Sequence, residues 1–193
     1  AAGINHAVDI SSDNVEDIVA FANKTGYPQV MKVVGPVHKS DVGGVSLNVK
    51  DEAHVRAEFE RLIKIKDTYA VQAYPMLFGT EIFIGAMRTP LFGHQVLCGL
   101  GGIFVEVLKD VQAGLAPIGV AEAKAMIKRL RGYKIIQGVR GQDPVNEDLY
   151  ADQIARVAAL VQAAPEIAEM DLNPLLGSPK AVVAVDARIR IEK

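Results

Sequence analysis

The chain has one cysteine, no tryptophan and few aromatic side chains, and each scarcity excludes a class of protein. The lone thiol, Cys98, cannot form an internal disulfide framework; it fits a reducing compartment, and its apolar neighbours predict a buried structural role. Sparse aromatics, a net charge of −2 and dispersed basic residues argue against nucleic-acid binding. No run approaches the ~20 apolar residues of a membrane span, and the start, AAGINHAVDI, lacks a signal-peptide pattern. We therefore expect a soluble, cytoplasmic protein that binds neither nucleic acid nor membranes, and that is a subunit or a fragment.

The chain has 193 residues, half of them hydrophobic, enough for one medium domain or two small lobes. The first third of the sequence predicts strands at 6–10, 30–34 and 45–47. A helix is predicted to begin after the N-cap residue types Ser11, Ser12 and Asp13 and to end at Gly26, and a second helix is predicted from Asp51 to Lys66. The remainder predicts antiparallel strands at 69–74, 81–87, 94–98 and 103–108, helices at 121–130 and 147–163, and strands at 167–171 and 181–186 joined by the loop 172–180. We expect an α+β fold, with a small lobe over 1–68 and a larger antiparallel-sheet lobe over 69–193.

The segment VMKVVGPVHKSDVGGV, residues 30–45, carries the first candidate site. Lys32 interrupts an apolar strand, where an unpaired ammonium costs several kcal/mol, so we expect it to reach a source of negative charge. Gly43 and Gly44 expose backbone amides that suit phosphate oxygens. Together they outline a nucleotide-phosphate site, although Lys32 could instead extend to solvent from an edge strand. GLGG at 99–102 is a weaker candidate that a tight turn or bulge explains equally well.

A candidate metal site lies near the end of the chain. Asp171, Asn173 and Asp186 sit at or near the ends of two predicted strands, and a hairpin would bring Asn173 and Asp186 opposite each other. Their oxygens are hard ligands that suit Mg²⁺, and Glu106 could join them. Alternatively, Asn173–Pro174 is only a turn and Asp186 only a charge at a strand end.

Among the histidines, His38 differs because Lys39 and the glycine pair lie close by. It could accept a phosphoryl group on a ring nitrogen, or only contact phosphate or cap a turn. The other histidines are expected to be structural or on the surface. Arg140, in the glycine-flanked run GVRG, and Arg88 could each bind phosphate or form a surface salt bridge.

These motifs resemble those of one family. The matching stretches are GYPQVMKVV, HKSDVGGV, GTEIFIGAMRTPLFG, GLGGIFVEVLKD, GVRG, EMDLNPLL and VVAVDARI, in the family's order. The chain resembles the ATP-grasp domain of the ADP-forming acyl-CoA synthetases (acetate–CoA ligase, ADP-forming, β subunit), and a similar portion of certain protein acetyltransferases. The resemblance implies an ATP-grasp fold, in which two α+β lobes hold ATP between them.

The resemblance also implies roles for residues. Lys32 would bind phosphate, Gly43 and Gly44 would form the phosphate loop, and the segment 71–74 would read adenine through its backbone. Asn173 and Asp186 would hold Mg²⁺ with Asp171 beside them, and His38 would contact or relay the phosphoryl group. The other residues expected to contact ATP or ADP are Gln72, Tyr74, Glu81, Glu106 and Arg140.

The implied reaction is acyl-CoA + ADP + phosphate ⇌ carboxylic acid + CoA + ATP, through an acyl phosphate and a phosphohistidine. The phosphohistidine would belong to a separate CoA-binding ligase subunit or domain, so we expect an acid–thiol ligase that is inactive without that partner. The alternative is a nucleotide-binding regulatory module of an acetyltransferase, without ligase activity. Carboxylate–amine ligation shares the fold but not the HKSDVGG pattern.

Overall fold

A computed structural model describes residues 2–36, 39, 41–102 and 109–192. The chain divides into two compact units, the smaller being Ala7–Leu77 and the larger comprising Ala1–His6 and Phe78–Lys193. The sequence predicts the division after residue 68. The strand Ala70–Pro75 is hydrogen-bonded within the sheet of the smaller unit, so the boundary falls after that strand.

The smaller unit is a four-stranded antiparallel sheet with two helices packed against one face. In chain order its elements are β1 (Ile10–Ser12), α1 (Val15–Thr25), β2 (Gln29–Val34), β3 (Val45–Val49), α2 (Glu52–Leu62) and β4 (Ala70–Pro75). The strand order is β1-β4-β2-β3, so β2 and β4 are the two central strands. Met31 and Val33 share a core with both helices, and since side chains alternate along a strand, Lys32 projects from the opposite face.

Three predictions for this unit were wrong in their bounds. The first strand lies at Ile10–Ser12 rather than at 6–10, because Ser11 and Ser12 pair with β4. The N-cap of α1 is therefore Asn14, whose side chain accepts a hydrogen bond from the Glu16 amide at 3.0 Å. Helix α2 begins after its predicted cap, Asp51, but ends at Leu62 instead of residue 66, since the chain then tightens into turns that lead to β4.

The larger unit is an antiparallel sheet of six described strands with helices on one face. Its elements are β5 (Thr80–Thr89), β6 (Gly93–Leu100), β7 (Val111–Leu115), α3 (Val120–Arg129), α4 (Tyr133–Ile136), α5 (Glu147–Ala163), β8 (Ile167–Gly177), β9 (Val182–Ala184) and β10 (Arg188–Ile191). The main strand order is β10-β8-β5-β6-β7, and β9 also pairs with β8. Helix α5 buries Tyr150, Ile154, Val157 and Val161 at helical spacing against the core face of the sheet.

Helix α5 spans the predicted range, and β5 and β6 confirm the predicted antiparallel meander. Strands β7 and β10 and the short helix α4 were not predicted. The expected loop 172–180 is largely strand, because β8 continues to Gly177. The strand predicted at 103–108 lies outside the described residues. None of the described helices has the length and apolarity needed to cross a membrane.

Candidate functional site

Lys32 is buried in the centre of a sheet, as the sequence predicted. It is 5% exposed and lies on β2, which has neighbours on both sides, so the alternative of a surface lysine on an edge strand is wrong. Its Nζ lies 4.9 Å from the centre of the Tyr74 ring, a cation–π contact. This contact places the Lys32 ammonium on the face of the sheet opposite to the helices.

Gln72 and Tyr74 share that face with Lys32. Gln72 pairs directly with Lys32 across the β2–β4 ladder, and its side chain donates to Asp9 Oδ2 at 2.8 Å. The backbone of the segment 71–73 pairs with β1 on one side and β2 on the other. Tyr74 pairs with Val30 on β2 and lies beyond the residues that pair with β1, so the predicted reading of adenine by the segment 71–74 stays a prediction.

The glycine pair follows β2 in a tight turn. The Gly44 amide donates to the Lys39 carbonyl at 2.7 Å, and the Gly44 carbonyl accepts from the Val33 amide at 2.9 Å. A Cβ on Gly44 would lie 2.5 Å from Val33 Cγ2, so only glycine fits there. Gly43 is exposed and has a φ of 64°, which favours glycine. Because the Gly44 amide closes the turn, it is not available for the predicted contact with phosphate, and the contact of Gly43 stays a prediction.

Asn173 lies in a β-bulge of β8. Ile82 pairs with Leu175 and Ile84 with Leu172, so Asn173 and Pro174 together oppose the single residue Phe83. Leu172 and Leu175 are both buried, and the bulge lets the two residues between them face away from the core. Proline is tolerated at this position because a bulge does not need its missing amide.

The β8–β9 hairpin brings the predicted metal ligands together. Leu175 pairs with Ala184 and the Val185 amide donates to the Pro174 carbonyl at 3.2 Å, so the same register places Asn173 opposite Asp186, as predicted. Burial raises the pKa of the Asp171 carboxyl; the charge of Glu169 acts in the same direction, Arg188 opposes it, and Asp186 raises it further.

A cation would relieve this crowding of negative charge, which is the observation that fits the site to Mg²⁺. Within the described ranges, no cluster of three His, Cys, Asp or Glu side chains could hold a metal by itself. The set of two carboxylates and one amide therefore suits an ion that keeps several waters and takes few protein ligands.

Glu81 lies on the same face of the larger sheet as Asn173, beside the glycine turn that follows β6. The Gly101 amide donates to the Glu81 carbonyl at 2.8 Å, and the Gly102 amide donates to Asn173 Oδ1 at 3.3 Å. A Cβ on Gly102 would displace the Glu81 carboxylate from its present position, and the φ of 58° at Gly102 favours glycine. The GLGG segment is therefore the end of a strand followed by a turn, and its Gly102 amide holds the Asn173 side chain by a hydrogen bond.

A cavity of about 590 Å³ opens within the larger unit next to Glu81. Its polar wall includes Gln142, Asp143 and Ser178, which the sequence analysis missed because isolated polar residues in loops carry no motif. Arg140 lies on the exposed turn between two lining residues and has a φ of 53°. Among the described residues no ion pair holds Arg140, so its predicted role in binding an anion stays open.

The remaining candidates fall into two groups. His38 and Glu106 lie outside the described residues. Arg88 forms an ion pair with Glu192 at 2.9 Å, which favours the surface salt bridge. His94 is buried and bonds the Ile167 carbonyl at 2.6 Å, and burial raises the pKa of the Cys98 thiol to about 12, so both are structural as predicted.

Comparison with known proteins shows which family the chain resembles. A family model described as an ATP-grasp domain matches residues 1–191. Acetate–CoA ligase (ADP-forming) I subunit beta of Pyrococcus furiosus is 42% identical over 186 residues, which cover 91% of this chain and 80% of that subunit. Acetate–CoA ligase (ADP-forming) II of Archaeoglobus fulgidus is also 42% identical, but the match spans 28% of its length.

A solved structure gives the same result for the fold. Acetyl-coenzyme A synthetase 1 of Ca. Korarchaeum cryptofilum, in complex with coenzyme A, Ca-AMPCP and HgCl⁺, superposes with a TM-score of 0.92 at 37% identity, over 99% of this chain and 88% of that chain. The predicted ATP-grasp fold is therefore confirmed. The chain belongs to the ATP-grasp family and, within it, to the group that includes the β subunits of ADP-forming acetate–CoA ligases.

Proposed function

We propose that this chain is the nucleotide-binding part of an ADP-forming acyl-CoA ligase, which catalyses acyl-CoA + ADP + phosphate ⇌ carboxylic acid + CoA + ATP. The observation that carries the proposal is the burial of Lys32 on an inner strand, in a chain of this family. Dehydrating an ammonium is costly and a nearby anion offsets that cost, and a nucleotide phosphate is the anion that the family would supply.

The proposal assigns roles to groups within each unit separately. Lys32 and the Gly43 amide bind phosphate oxygens, and the Tyr74 end of β4 meets the base. Asn173 and Asp186, with Asp171 beside them, hold Mg²⁺, which would neutralise the phosphate charge when it is bound. Glu81 and Arg140, and also Glu106 and His38, keep their predicted nucleotide and phosphoryl contacts as part of the proposal.

The phosphoryl step in this proposal needs a phosphohistidine from a CoA-binding subunit or domain. One structure of the Korarchaeum enzyme is described as holding Mg-AMPPCP with its phosphohistidine segment pointing towards the nucleotide binding site. By analogy, a partner phosphohistidine would lose its phosphoryl group as the P–N bond breaks, and a β-phosphate oxygen of ADP would gain it as a P–O bond forms. We infer that the chain is inactive without a CoA-binding partner, and that both act in the cytoplasm, which suits its single thiol.

The test is reconstitution. The chain is mixed with the CoA-binding partner, ADP, phosphate, Mg²⁺ and acetyl-CoA, and ATP formation is followed with and without each protein. We expect ATP only when both proteins are present. Asp186→Asn should reduce the rate at least tenfold, in line with loss of a metal ligand. Asp152→Asn, which changes an exposed carboxylate paired with Arg156 on α5, is the matched control and should retain full activity.

Two results would change the conclusion. If ADP binds but no ATP forms with any partner, the regulatory-module alternative is favoured. If the chain binds no ADP, measured by calorimetry in the presence of Mg²⁺, both functions are excluded.

A further inference from the structure

Helix α2 is tied to the glycine turn by one arginine that the sequence analysis did not single out. Arg61, in the last turn of α2, donates from Nη1 to the Gly43 carbonyl at 2.8 Å. Its Nη2 donates to Ser46 Oγ at 2.8 Å, where Ser46 is on β3 immediately after the turn. The guanidinium therefore joins the turn to the strand that follows it, both from the side of the helix.

The guanidinium is itself held in place by Glu58. Nε and Nη2 of Arg61 reach the same carboxylate oxygen of Glu58 at 3.0 and 2.8 Å, one helical turn earlier. The Ser46 hydroxyl donates to that oxygen as well, so the three side chains form a closed polar cluster. Glu58 is only 20% exposed, and this partial burial strengthens charge-assisted hydrogen bonds.

This cluster fixes one peptide plane of the turn at both ends. The peptide between Gly43 and Gly44 has its carbonyl bonded to Arg61 and its N–H bonded to the Lys39 carbonyl. Neither end can rotate without breaking a hydrogen bond, and the contact of Gly44 with Val33 prevents the backbone from shifting inward. The Gly43 N–H belongs to the preceding peptide, and fixing the next plane limits the conformations open to Gly43, whose φ is 64°, and so the directions in which this N–H can point.

We propose that Arg61 is a positioning residue for phosphate binding, which acts by holding the Gly43–Gly44 peptide so that the Gly43 amide faces the nucleotide. Arg61 does not itself touch the ligand. Its effect is preorganisation, because a glycine-rich turn left free would lose conformational entropy each time it bound phosphate. This inference rests on the proposed function, since it assigns a role within the same nucleotide site.

The chain provides a matched control on the same helix. Arg56 also forms two ion pairs, with Glu16 at 2.6 Å and with Glu52 at 2.8 Å, and its side chain is 39% exposed, compared with 46% for Arg61. Arg56 contacts α1 and its own helix rather than the glycine turn. Arg61 forms one ion pair and Arg56 two, but each guanidinium donates four hydrogen bonds, so Arg56→Ala removes as many hydrogen bonds as Arg61→Ala without touching the turn.

The experiment compares Arg61→Ala, Arg61→Lys and Arg56→Ala in the purified chain and in the enzyme assembled with its partner. Arg61→Ala should raise the Kd for ADP and the KM for ADP about tenfold, as expected for loss of a charge-assisted hydrogen bond at a partly exposed site. The KM for acyl-CoA should not change. Arg61→Lys should recover part of the affinity, because one ammonium can bond the Gly43 carbonyl but cannot also span Ser46 and Glu58.

Each outcome decides the proposal. Arg56→Ala should bind ADP like wild type while lowering the melting temperature about as much as Arg61→Ala. If the two alanine variants bind ADP equally, or if Arg61→Ala changes the KM of ADP and acyl-CoA alike, Arg61 has only a structural role and the proposal is overturned. If wild type itself binds no ADP, the proposed function fails first. Should Arg61→Ala not fold, Arg61→Lys against wild type makes the same comparison, with equal affinities overturning the proposal.

Discussion

Replacing Lys32 by methionine tests the proposed nucleotide site directly, because it removes the buried charge that is proposed to bind phosphate. Methionine matches the length of the lysine stem and removes only the charge and the donors. The Lys32 ammonium lies 4.9 Å from the centre of the Tyr74 ring on an inner strand, so water cannot take its place as a hydrogen-bond donor to phosphate. Loss of one charge-assisted hydrogen bond to phosphate costs about 1.5–3 kcal/mol, which corresponds to a Kd about 10- to 150-fold higher.

The same loss can be read from thermal stability. At a nucleotide concentration of about 100 times the wild-type Kd, binding stabilises the folded chain by about 2.7 kcal/mol. A variant whose Kd is about 100-fold higher would gain only about 0.4 kcal/mol under the same conditions. Lys32→Met should therefore lose most of the nucleotide-dependent rise in melting temperature, whatever its stability without ligand.

The assay is calorimetric titration with Mg-ADP, supported by melting curves with and without nucleotide. Lys24→Met is the control, because Lys24 is an exposed lysine in the last turn of α1 in the same unit. It should keep both the wild-type Kd and the wild-type shift in melting temperature. Equal Kd values for Lys32→Met and Lys24→Met would show that the buried ammonium does not bind phosphate, and the site as drawn would be wrong.

Three further predictions concern stability and reactivity. Tyr150→Phe should lower the free energy of unfolding in urea by about 1–3 kcal/mol, because the buried hydroxyl bonds the backbone of both β5 and β6. Cys98, whose pKa burial raises to about 12, should react with a thiol reagent at pH 8 only after unfolding. The hydrogen bond from Arg61 lowers the pKa of Glu58 in the folded chain below its ordinary 4.5. The stability that this ion pair contributes is therefore complete above pH 4.5 and is lost as the pH falls through the lower pKa of the folded chain. Glu58→Gln should make the free energy of unfolding less dependent on pH in that acidic range.

Each of these has a result that contradicts it. Wild-type urea stability in Tyr150→Phe would mean that the two strands do not depend on the hydroxyl. Rapid labelling of Cys98 in the folded chain would place the thiol at the surface. An unchanged acid limb in Glu58→Gln would show that the polar cluster beneath the glycine turn contributes nothing to folding.

The sequence predicted elements best where one segment carries its own pattern. Helix α5 combines an apolar stripe with a polar N-cap, Asn146, so its range needs no information from elsewhere. Strands β7 and β10 lack such a pattern. The first, VQAGL, contains glycine, and the second, RIRI, is exposed throughout, so each is a strand only because a neighbouring strand pairs with it.

The candidate site shows the same division. Lys32 could be found from sequence because a charged residue in an apolar strand conflicts with its surroundings, and such local conflicts often mark function. Arg61 could not, since an arginine in the last turn of a helix is ordinary and its meaning depends on the carbonyl of a turn 18 residues earlier in the chain. Contacts of this kind have no signature in a single sequence.

Asn173 is a predicted metal ligand whose local structure the sequence analysis did not predict. Asparagine followed by proline normally indicates a turn, and the sequence analysis placed both in a loop. The partner strand β5 decides otherwise, because Leu172 and Leu175 must both reach the core and the two residues between them are forced out as a bulge. A bulge turns the Asn173 side chain to the face that carries Asp171 while its backbone stays in the sheet. A side chain fixed in a strand moves less than one in a loop, so the bulge gives Asn173 a rigidity that the predicted turn would not have had.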